Sequence, residues 1–276
     1  MGEDSGPVQL APGVYWVGYV DTHAGFHCNP YLIVDGDEAV LIDGGSRPDF
    51  STVMRKILQT GVAPESISTL IYQHYDPDLC GSIPNFIDII DRPGLRILSK
   101  HENNPFIRHY SLRVDPSCID ELGRTLVFGK GRRLRFIPTP YAHAPGSFMT
   151  LDERTGVLFT SDLLGAFGLS GKWQLIQQLS AECASCTSVT PDDPHVDCDA
   201  AGYPCPWTGL CHFHRMVMPS NAALRLALDR IADVDPAMVA PQHGSVLNRR
   251  GDIAEVIQRL RFLDDVGIDG ILRGRR

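Results

Sequence analysis

Residues 74–82 read His-Tyr-Asp-Pro-Asp-Leu-Cys-Gly-Ser and follow the apolar run of residues 70–72. This stretch places one imidazole and two carboxylates, two residues apart each time, on a loop that leaves a predicted buried strand. Because alternate side chains of an extended segment project to the same side, His74, Asp76 and Asp78 are expected to converge on one point. An imidazole beside two hard oxygen donors predicts a metal site.

Three further segments have the same construction, with a histidine or aspartate after an apolar strand and before loop residues. They are His143 in Pro-Tyr-Ala-His-Ala-Pro-Gly-Ser (140–147), Asp162 in Phe-Thr-Ser-Asp (159–162) and His243 in Ala-Pro-Gln-His-Gly (240–244). Functional residues usually lie on such loops. A lone histidine at any one of these positions is more often structural, but four segments of the same construction favour a shared metal site.

The rest of the chain alternates predicted strands with predicted helices. Apolar runs and turn signals predict strands within residues 13–43, whereas helical spacing predicts helices over residues 48–59, 82–90, 221–234 and 252–264. Such alternation predicts an α/β protein with two mixed β-sheets flanked by helices, in a single domain of residues 1–276. Residues 170–212, rich in Cys, Pro, Asp and Gly, are interpreted as an insertion within that domain.

Composition excludes several classes of protein. The chain has 276 residues, is 43% hydrophobic and carries a net charge of −8, so it can bury a large core. The negative charge gives no reason to expect a nucleic-acid or anionic-membrane partner. No apolar stretch approaches the roughly 20 residues of a transmembrane helix. The acidic N-terminus does not resemble a signal peptide, so a reduced, cytoplasmic setting is expected.

The four loop segments resemble those of the metallo-β-lactamase fold, an αββα sandwich with a binuclear metal site between two sheets. Hydrolases of that fold carry H-x-H-x-D-H, followed by a His, an Asp and a final His, and the match spans residues 13–248. Here Asp76 stands at the second His of the motif and Leu79 at the last. This pattern resembles the flavodiiron branch, whose motif is H-x-E-x-D. Further stretches are similar to that branch: residues 29–34 (Asn-Pro-Tyr-Leu-Ile-Val), 81–84 (Gly-Ser-Ile-Pro) and 143–147 (His-Ala-Pro-Gly-Ser).

The resemblance implies a ligand set for two metals. His74, Asp76 and His143 would hold one metal, Asp78 and His243 would hold the other, and Asp162 would bridge them. Three imidazoles and three carboxylates favour iron over zinc, because a carboxylate adds charge and hard oxygen. Leu79 would leave the second metal with an additional open position.

The resemblance implies a non-haem diiron protein that binds dioxygen or nitric oxide. It would act either as a sensor or as an oxidoreductase that reduces the bound gas. The catalytic candidates are Asp162 and Tyr75, whose phenol is a potential proton or hydrogen-bond donor, with packing as its alternative role. A zinc-dependent hydrolase of esters, thioesters or phosphodiesters is the second hypothesis. The third is a non-catalytic interaction module that binds through the Cys-rich insertion.

Flavodiiron proteins also carry a flavodoxin domain that binds FMN, and no FMN site is expected in this chain. A phosphate-binding loop rich in Gly, Ser and Thr at the start of a helix is not evident in the sequence. The chain therefore resembles the stand-alone oxygen-binding diiron proteins linked to sensing. The resemblance implies a separate electron donor or signalling partner, and a homodimer.

Five of the eight cysteines cluster in the insertion: Cys183, Cys186, Cys198, Cys205 and Cys211. The spacing Cys183-x-x-Cys186, with His195, His212 and His214 interleaved, is compatible with a structural zinc site, a redox or disulfide pair, or no special role. Cys80, two residues after Asp78, is expected to pack, with a redox role as the alternative. Asp43 is expected to orient ligands rather than to bind metal. The remaining histidines are treated as surface or packing residues: His23, His27, His101 and His109.

Overall fold

A computed structural model describes residues 6–19, 26–110, 113–167, 174–186, 197–198 and 203–274. The chain divides into two compact units. The first unit comprises Met1–Val20, Cys28–Pro138 and Ala144–Gly156, and the second comprises Asp21–His27, Thr139–His143 and Val157–Arg276.

The larger sheet of the first unit has its strands side by side in chain order. They are β1 (Val8–Ala11), β2 (Val14–Trp16), β3 (Tyr31–Asp35), β4 (Glu38–Ile42), β5 (Ile67–Ile71), β6 (Arg96–Ser99) and β7 (Pro116–Cys118). Strands β1 to β4 are antiparallel neighbours, whereas β4 to β7 are parallel.

Helices connect the parallel strands, because parallel neighbours require a crossover. They are α1 (Phe50–Gln59), α2 (Pro77–Cys80), α3 (Ile83–Ile90) and α4 (Asn104–Ile107), with 3₁₀ turns at Pro64–Ser66 and Ile119–Leu122. Helix α1 buries Val53, Met54 and Ile57 on one face, against a core that includes Leu70 of β5. All five residues of β5 are buried, as expected for a parallel strand covered on both faces. The prediction of a helix over residues 82–90 is confirmed by α3.

The first unit also contains an antiparallel group of strands in which β9 (Arg132–Pro138) lies between β8 (Thr125–Phe128) and β10 (Phe148–Asp152). A buried ion pair joins β9 to β10, with Arg132 Nη2 2.5 Å from Asp152 Oδ2. The same guanidinium donates hydrogen bonds to the carbonyls of Val34 at 3.0 Å and Pro12 at 3.2 Å. One buried arginine thereby ties this group of strands to the loops of the larger sheet.

The second unit has a mixed group of strands in the order β12, β16, β15, β11. Its elements are β11 (Val157–Phe159), β12 (Ile176–Gln177), α5 (Ala181–Ser185), β13 (Asp197–Cys198), β14 (Tyr203–Pro204), α6 (Pro206–Val217), α7 (Asn221–Val234), β15 (Met238–Ala240), β16 (Val246–Leu247), α8 (Arg250–Arg261) and α9 (Ile268–Leu272). Strand β11 is parallel to β15. Helix α6 begins inside the Cys-rich stretch and buries Trp207, Phe213 and His214.

The fold class agrees with the sequence prediction of mixed sheets flanked by helices. The predicted helices over residues 221–234 and 252–264 correspond to α7 and α8. The sequence did not predict β1, β7 or α4, because each is only three or four residues long and leaves little periodicity to detect. Across the residues that the structure describes, no helix has the length and apolar character needed to cross a membrane.

Candidate metal centre

The loop after β5 brings two of the predicted ligands together. His74 Nε2 lies 3.7 Å from Asp76 Oδ2, and the His74 side chain is 1% exposed. The extended segment ends at Asp76, which is the N-cap residue of α2, because the helix begins at Pro77. Asp78 therefore lies in the first helical turn, and the expectation that all three side chains project to one point from an extended segment is wrong. Asp78 instead lies beside Cys28, with 3.8 Å between Oδ2 and Sγ.

Asp43 orients the backbone ahead of His74. It follows β4, whose last residue Ile42 pairs with Ile71 of β5. Its carboxylate Oδ1 accepts a hydrogen bond from the Gln73 backbone N–H at 3.0 Å. Asp43 holds a left-handed backbone conformation with φ of 52°, which is uncommon for a residue with a side chain and concentrates at functional sites. This contact supports the predicted orienting role.

The two residues after Asp78 belong to the core. Leu79 is fully buried in the hydrophobic core of the first unit. Cys80 is also fully buried, and its thiol lies 3.5 Å from the carbonyl oxygen of His74. Burial, reinforced by the nearby carboxylates of Asp43, Asp78 and Asp76, raises the pKa of the Cys80 thiol well above its usual range. Because the thiolate is the reactive form, the structure favours packing over a redox role for Cys80.

Parallel strand pairing brings Asp162 and His243 together in the second unit. Phe159 at the end of β11 pairs with Ala240 at the end of β15, and each predicted ligand comes three residues later. The pairing continues into the loops, because the Gln242 N–H donates to the carbonyl of Ser161 at 2.8 Å. His243 Nε2 consequently lies 3.6 Å from Asp162 Oδ1.

The carboxylate of Asp162 lies between two imidazoles. Its Oδ2 is 3.2 Å from His143 Nε2, whereas its Oδ1 is 3.6 Å from His243 Nε2. The Asp162 side chain is only 4% exposed. A carboxylate whose two oxygens face different imidazoles has the arrangement that a bridge between two metal ions requires.

The imidazole of His243 is oriented for a ligand at Nε2. Its Nδ1 lies 3.0 Å from the backbone carbonyl of His27. Because a carbonyl can only accept, Nδ1 carries the proton, which leaves the Nε2 lone pair for a metal, as is usual for metal-binding histidines. The ring of Phe26 stacks on this imidazole with 4.1 Å between centroids, and the ring of Phe213 lies 5.7 Å away. Aromatic side chains thus cover the ring of His243 within the second unit.

His214, which the sequence analysis places only among the residues of the Cys-rich stretch, contacts the loop that follows Asp162. It is fully buried on α6, where Nδ1 donates to the Leu210 carbonyl at 2.8 Å and Nε2 accepts from the Leu164 N–H at 3.1 Å. Burial lowers the pKa of His214 to about 4, so the ring is neutral near pH 7. With both nitrogens in hydrogen bonds, His214 holds the loop after Asp162, where Ser161 and Leu164 have positive φ of 55° and 61°. Its place on the buried face of a helix was the available signal.

Tyr75 packs against a second aromatic ring. Its ring stacks on Phe106 with 4.4 Å between centroids, and its backbone carbonyl accepts the Tyr110 hydroxyl at 3.2 Å. The pKa of Tyr110 is raised to about 12, mainly by burial and further by the nearby side chains of Cys80, Asp76 and Asp78. The phenol of Tyr110, which was not predicted from the sequence, therefore remains a hydrogen-bond donor at neutral pH.

The Cys-rich stretch has packing contacts. The Trp207 indole N–H donates to the carbonyl of Cys183 at 2.7 Å, and the Arg259 guanidinium lies 4.1 Å from the centre of the Trp207 ring. Burial raises the pKa of the Cys211 thiol. His212 lies near Phe167, with 5.5 Å between ring centroids.

A structural zinc site finds no support in that stretch. Among the residues that the structure describes, no group of three potential metal-ligand atoms within 4.8 Å of one another includes Cys183, Cys186, Cys205 or Cys211. The side chain of Cys198, and all of His23 and His195, lie outside the described residues.

Mixed sheets flanked by helices, with histidine and aspartate side chains grouped beyond strand ends, define a protein of the metallo-β-lactamase fold. Residues 26–244 match the family described as ODP family beta lactamase, and the chain belongs to this family. The matched range contains all six predicted metal ligands.

Curated relatives are longer than this chain. It is 29% identical over 276 residues to the nitric oxide reductase of Moorella thermoacetica, and the alignment covers 92% of this chain and 61% of the relative. It is 28% identical over 217 residues to the putative diflavin flavoprotein A 2 of Synechocystis sp., and this alignment covers 78% of this chain and 33% of the relative. The chain thus spans between 33% and 61% of the length of these relatives.

Solved structures confirm the predicted fold. The peroxy diiron species of the chemotaxis sensor ODP is similar with a TM-score of 0.70 at 23% identity, covering 97% of both chains. The rubredoxin oxygen:oxidoreductase of Desulfovibrio gigas is similar with a TM-score of 0.72 at 18% identity, covering 92% of this chain and 60% of the other.

Proposed function

We propose that this chain is a non-haem diiron protein that binds dioxygen or nitric oxide, as a sensor or an oxidoreductase. The observation that carries the proposal is the Asp162 carboxylate, whose two oxygens face the imidazoles of His143 and His243 at 3.2 Å and 3.6 Å. Family membership supports it. The names of a curated relative, a nitric oxide reductase, and of a similar structure, a peroxy diiron species, point the same way.

The proposed ligand assignment follows the sequence motif. His74, Asp76 and His143 hold one iron, Asp78 and His243 hold the other, and Asp162 bridges the two. Three observations fit such a centre. His74 contacts Asp76, and Asp162 lies between two imidazoles. The hydrogen bond from His243 Nδ1 to a carbonyl makes Nε2 the ligand atom of that ring. Hard carboxylate oxygens with imidazoles suit iron.

When bound, two ferrous ions would supply electrons and open coordination positions for a diatomic gas. The protein would contribute the ligand geometry and an apolar surface beside one ligand. Phe26 and Phe213 cover the imidazole of His243 with apolar rings. Apolar rings at this position favour a small uncharged molecule over a charged substrate. Tyr110 keeps its hydroxyl proton near neutral pH and donates it to the Tyr75 carbonyl. The phenol of Tyr75 remains the donor proposed from the sequence.

Several finer features are proposals from the resemblance. We propose that the protein works in the cytoplasm as a homodimer and exchanges electrons or a signal with a separate partner protein. Analytical ultracentrifugation of the iron-loaded protein measures the oligomeric state, and a monomer at micromolar concentration would exclude the dimer.

The test of the central proposal is anaerobic reconstitution with ferrous iron, followed by exposure to dioxygen or nitric oxide. We expect about two iron ions per chain and a change in near-ultraviolet and visible absorption on exposure to gas. In Asp162→Asn, an amide nitrogen with no available lone pair replaces one carboxylate oxygen and cannot coordinate a metal. We therefore expect the iron content to fall to about one ion or less per chain. The exposed Asp233→Asn in α7 is the matched control and should keep the wild-type iron content.

A different result would favour the hydrolase hypothesis. Uptake of zinc alone, no spectral response to either gas, and hydrolysis of a chromogenic ester or phosphodiester that is lost in His143→Ala would contradict the diiron proposal.

A further inference from the structure

Cys28 lies against one of the proposed metal ligands. Its side chain is 6% exposed, and its Sγ is 3.8 Å from Asp78 Oδ2. Metal–sulfur bonds of about 2.3 Å and metal–oxygen bonds of about 2.1 Å place two donors of the same ion roughly 3 to 4 Å apart. The distance between Sγ and Oδ2 is therefore compatible with two atoms that share one metal.

A second contact concerns the residue just before Cys28. The carbonyl of His27 accepts the hydrogen bond from His243 Nδ1 at 3.0 Å, and His243 is the other terminal ligand proposed for the metal that Asp78 holds. Consecutive residues 27 and 28 thus each contact a proposed ligand of the second metal. Two further contacts hold this segment: the Tyr19 N–H donates to the Cys28 carbonyl at 3.4 Å, and the Trp16 indole donates to the side-chain Oδ1 of Asn29 at 2.8 Å.

The proposed centre is unequal without a further donor. The first metal has four protein ligands in the proposed assignment, whereas the second has only Asp78, Asp162 and His243. Position 79, where hydrolases similar in this motif carry a histidine, is a leucine buried in the core and cannot supply a donor.

We infer that Cys28 is a thiolate ligand of the metal held by Asp78 and His243. The inference rests on the binuclear centre proposed above. On binding, the thiol releases its proton to solvent and the sulfur lone pair enters the metal coordination sphere, because the thiolate is the ligand form. A soft sulfur donor on one metal only would make the two metal positions chemically different, and would raise the affinity of the second for soft, divalent ions.

Cys118 provides a matched control. It is also buried, at 7% exposure, and its Sγ is likewise 3.8 Å from an aspartate oxygen, Oδ2 of Asp120. Asp120 is paired with Lys100 and Arg124 instead of with a candidate metal ligand. The two cysteines therefore share burial and a carboxylate neighbour, and differ in the ligands proposed around them.

X-ray absorption spectroscopy at the metal edge tests the inference on anaerobically iron-loaded protein. We expect one sulfur scatterer for every two metals, at about 2.3 Å as in other metal–thiolate sites. The sulfur shell should disappear in Cys28→Ser and Cys28→Ala and remain in Cys118→Ser. A thiol that only donated a hydrogen bond to Asp78 would give no sulfur shell in the wild-type protein, so the wild-type spectrum separates ligation from hydrogen bonding.

The outcomes are distinguishable from failure of the proposed function. Wild-type protein with two metals and no sulfur shell would overturn the role of Cys28 and leave the binuclear centre intact. A sulfur shell that persists in both Cys28 variants would also overturn it. Wild-type protein that binds no metal would overturn the centre, and the ligand role with it. The wild-type spectrum alone can refute the inference, so the test does not depend on whether the variants fold.

Discussion

Single residues determine how the candidate ligands are oriented. Asp162 presents each oxygen to a different imidazole, and His243 has its proton placed on Nδ1 by the carbonyl of His27. His214 is as buried as these residues, yet both its nitrogens are used in hydrogen bonds to the backbone. The same residue type therefore has two roles in the second unit, and the partner of each ring nitrogen decides which.

Acid should destabilise the protein through His214. The pKa of this buried imidazole is lowered to about 4, against a usual value near 6.5, so the unfolded chain binds the proton more readily than the folded one. Its contribution to stability is present above pH 6.5 and is lost as the pH falls toward 4, by on the order of 3 kcal/mol. Urea unfolding of metal-free protein at pH 7, 5.5 and 4.5 measures this loss.

The matched comparison uses His214→Gln and the exposed His101→Gln. The difference in unfolding free energy between wild type and His214→Gln should shrink as the pH falls from 6.5 to 4, whereas His101→Gln should follow the wild type. A pH-independent difference for His214→Gln would contradict the assignment.

Gly244 should not tolerate a side chain. It follows His243 with a φ of +80°, and a Cβ there would be 2.7 Å from the backbone nitrogen of Ala166. We expect Gly244→Ala to lower the unfolding free energy by about 1–3 kcal/mol, because the residue is forced into a left-handed conformation and a close contact. The variant should also bind less iron, since His243 must move.

Gly251→Ala in α8 is the control for this change. A Cβ at Gly251 meets nothing within 4 Å, so the change should leave stability unaltered or raise it by up to about 1 kcal/mol. Equal thermal unfolding curves for the two alanine variants would refute the argument.

At the scale of secondary-structure elements, strand ends and one short helix place the candidate ligands. The register Phe159 opposite Ala240 carries Asp162 and His243 to the same edge of their sheet. The early start of α2 at Pro77 separates Asp78 from the extended pair formed by His74 and Asp76. Pairing and helix starts, more than individual side-chain preferences, thus distribute the donors.

The buried pair of Arg132 and Asp152 should hold the strands of the first unit together. Arg132→Met leaves the Asp152 carboxylate buried without its guanidinium, which typically costs about 3–5 kcal/mol. Replacing both residues, as Arg132→Met with Asp152→Leu, should recover part of that loss, because no uncompensated charge remains. Urea unfolding of the metal-free variants measures both effects.

The neighbouring Arg133 offers an internal control. It pairs with Glu153 at 3.1 Å, and both side chains are more than a third exposed, so Arg133→Met should cost less than about 1 kcal/mol. A cost for Arg133→Met similar to that for Arg132→Met would show that burial is not what gives the inner pair its importance.

At the scale of the whole molecule, the proposed ligands are spread along the chain, from His74 to His243. The family match over residues 26–244 covers the six positions together. Bound metal would then be part of what stabilises the folded chain.

Metal removal should lower the unfolding temperature. A metal present at about 100 times its dissociation constant adds about 3 kcal/mol to the unfolding free energy, because it binds the folded state alone. Calorimetry of iron-loaded protein with and without a chelator measures the shift. The double variant His74→Ala with His243→Ala should show no shift, and a chelator effect that persists in it would place the metal elsewhere.

The sequence predicted the fold well because the fold depends on local patterns. Apolar runs, turn signals and helical spacing located the strands within residues 13–43 and the helices α1, α3, α7 and α8. The repeated placement of His or Asp after strands indicated the loops that carry the candidate ligands. Extending the alternation rule to Asp78 was wrong, since the rule requires an extended backbone and Pro77 starts a helix there. The contact of His214 with the loop after Asp162 was not predicted, because Leu164 lies 50 residues away along the chain.

The sequence by itself determined the class of the fold, the family and the six candidate ligands, because each is written in residue types and short-range spacing. Only the tertiary structure revealed that Asp162 lies between two imidazoles, that His243 is oriented by a backbone carbonyl, and that Cys28 lies beside Asp78. Those relations join residues up to 216 positions apart. They arise from strand pairing and packing across the chain, which residue spacing does not encode.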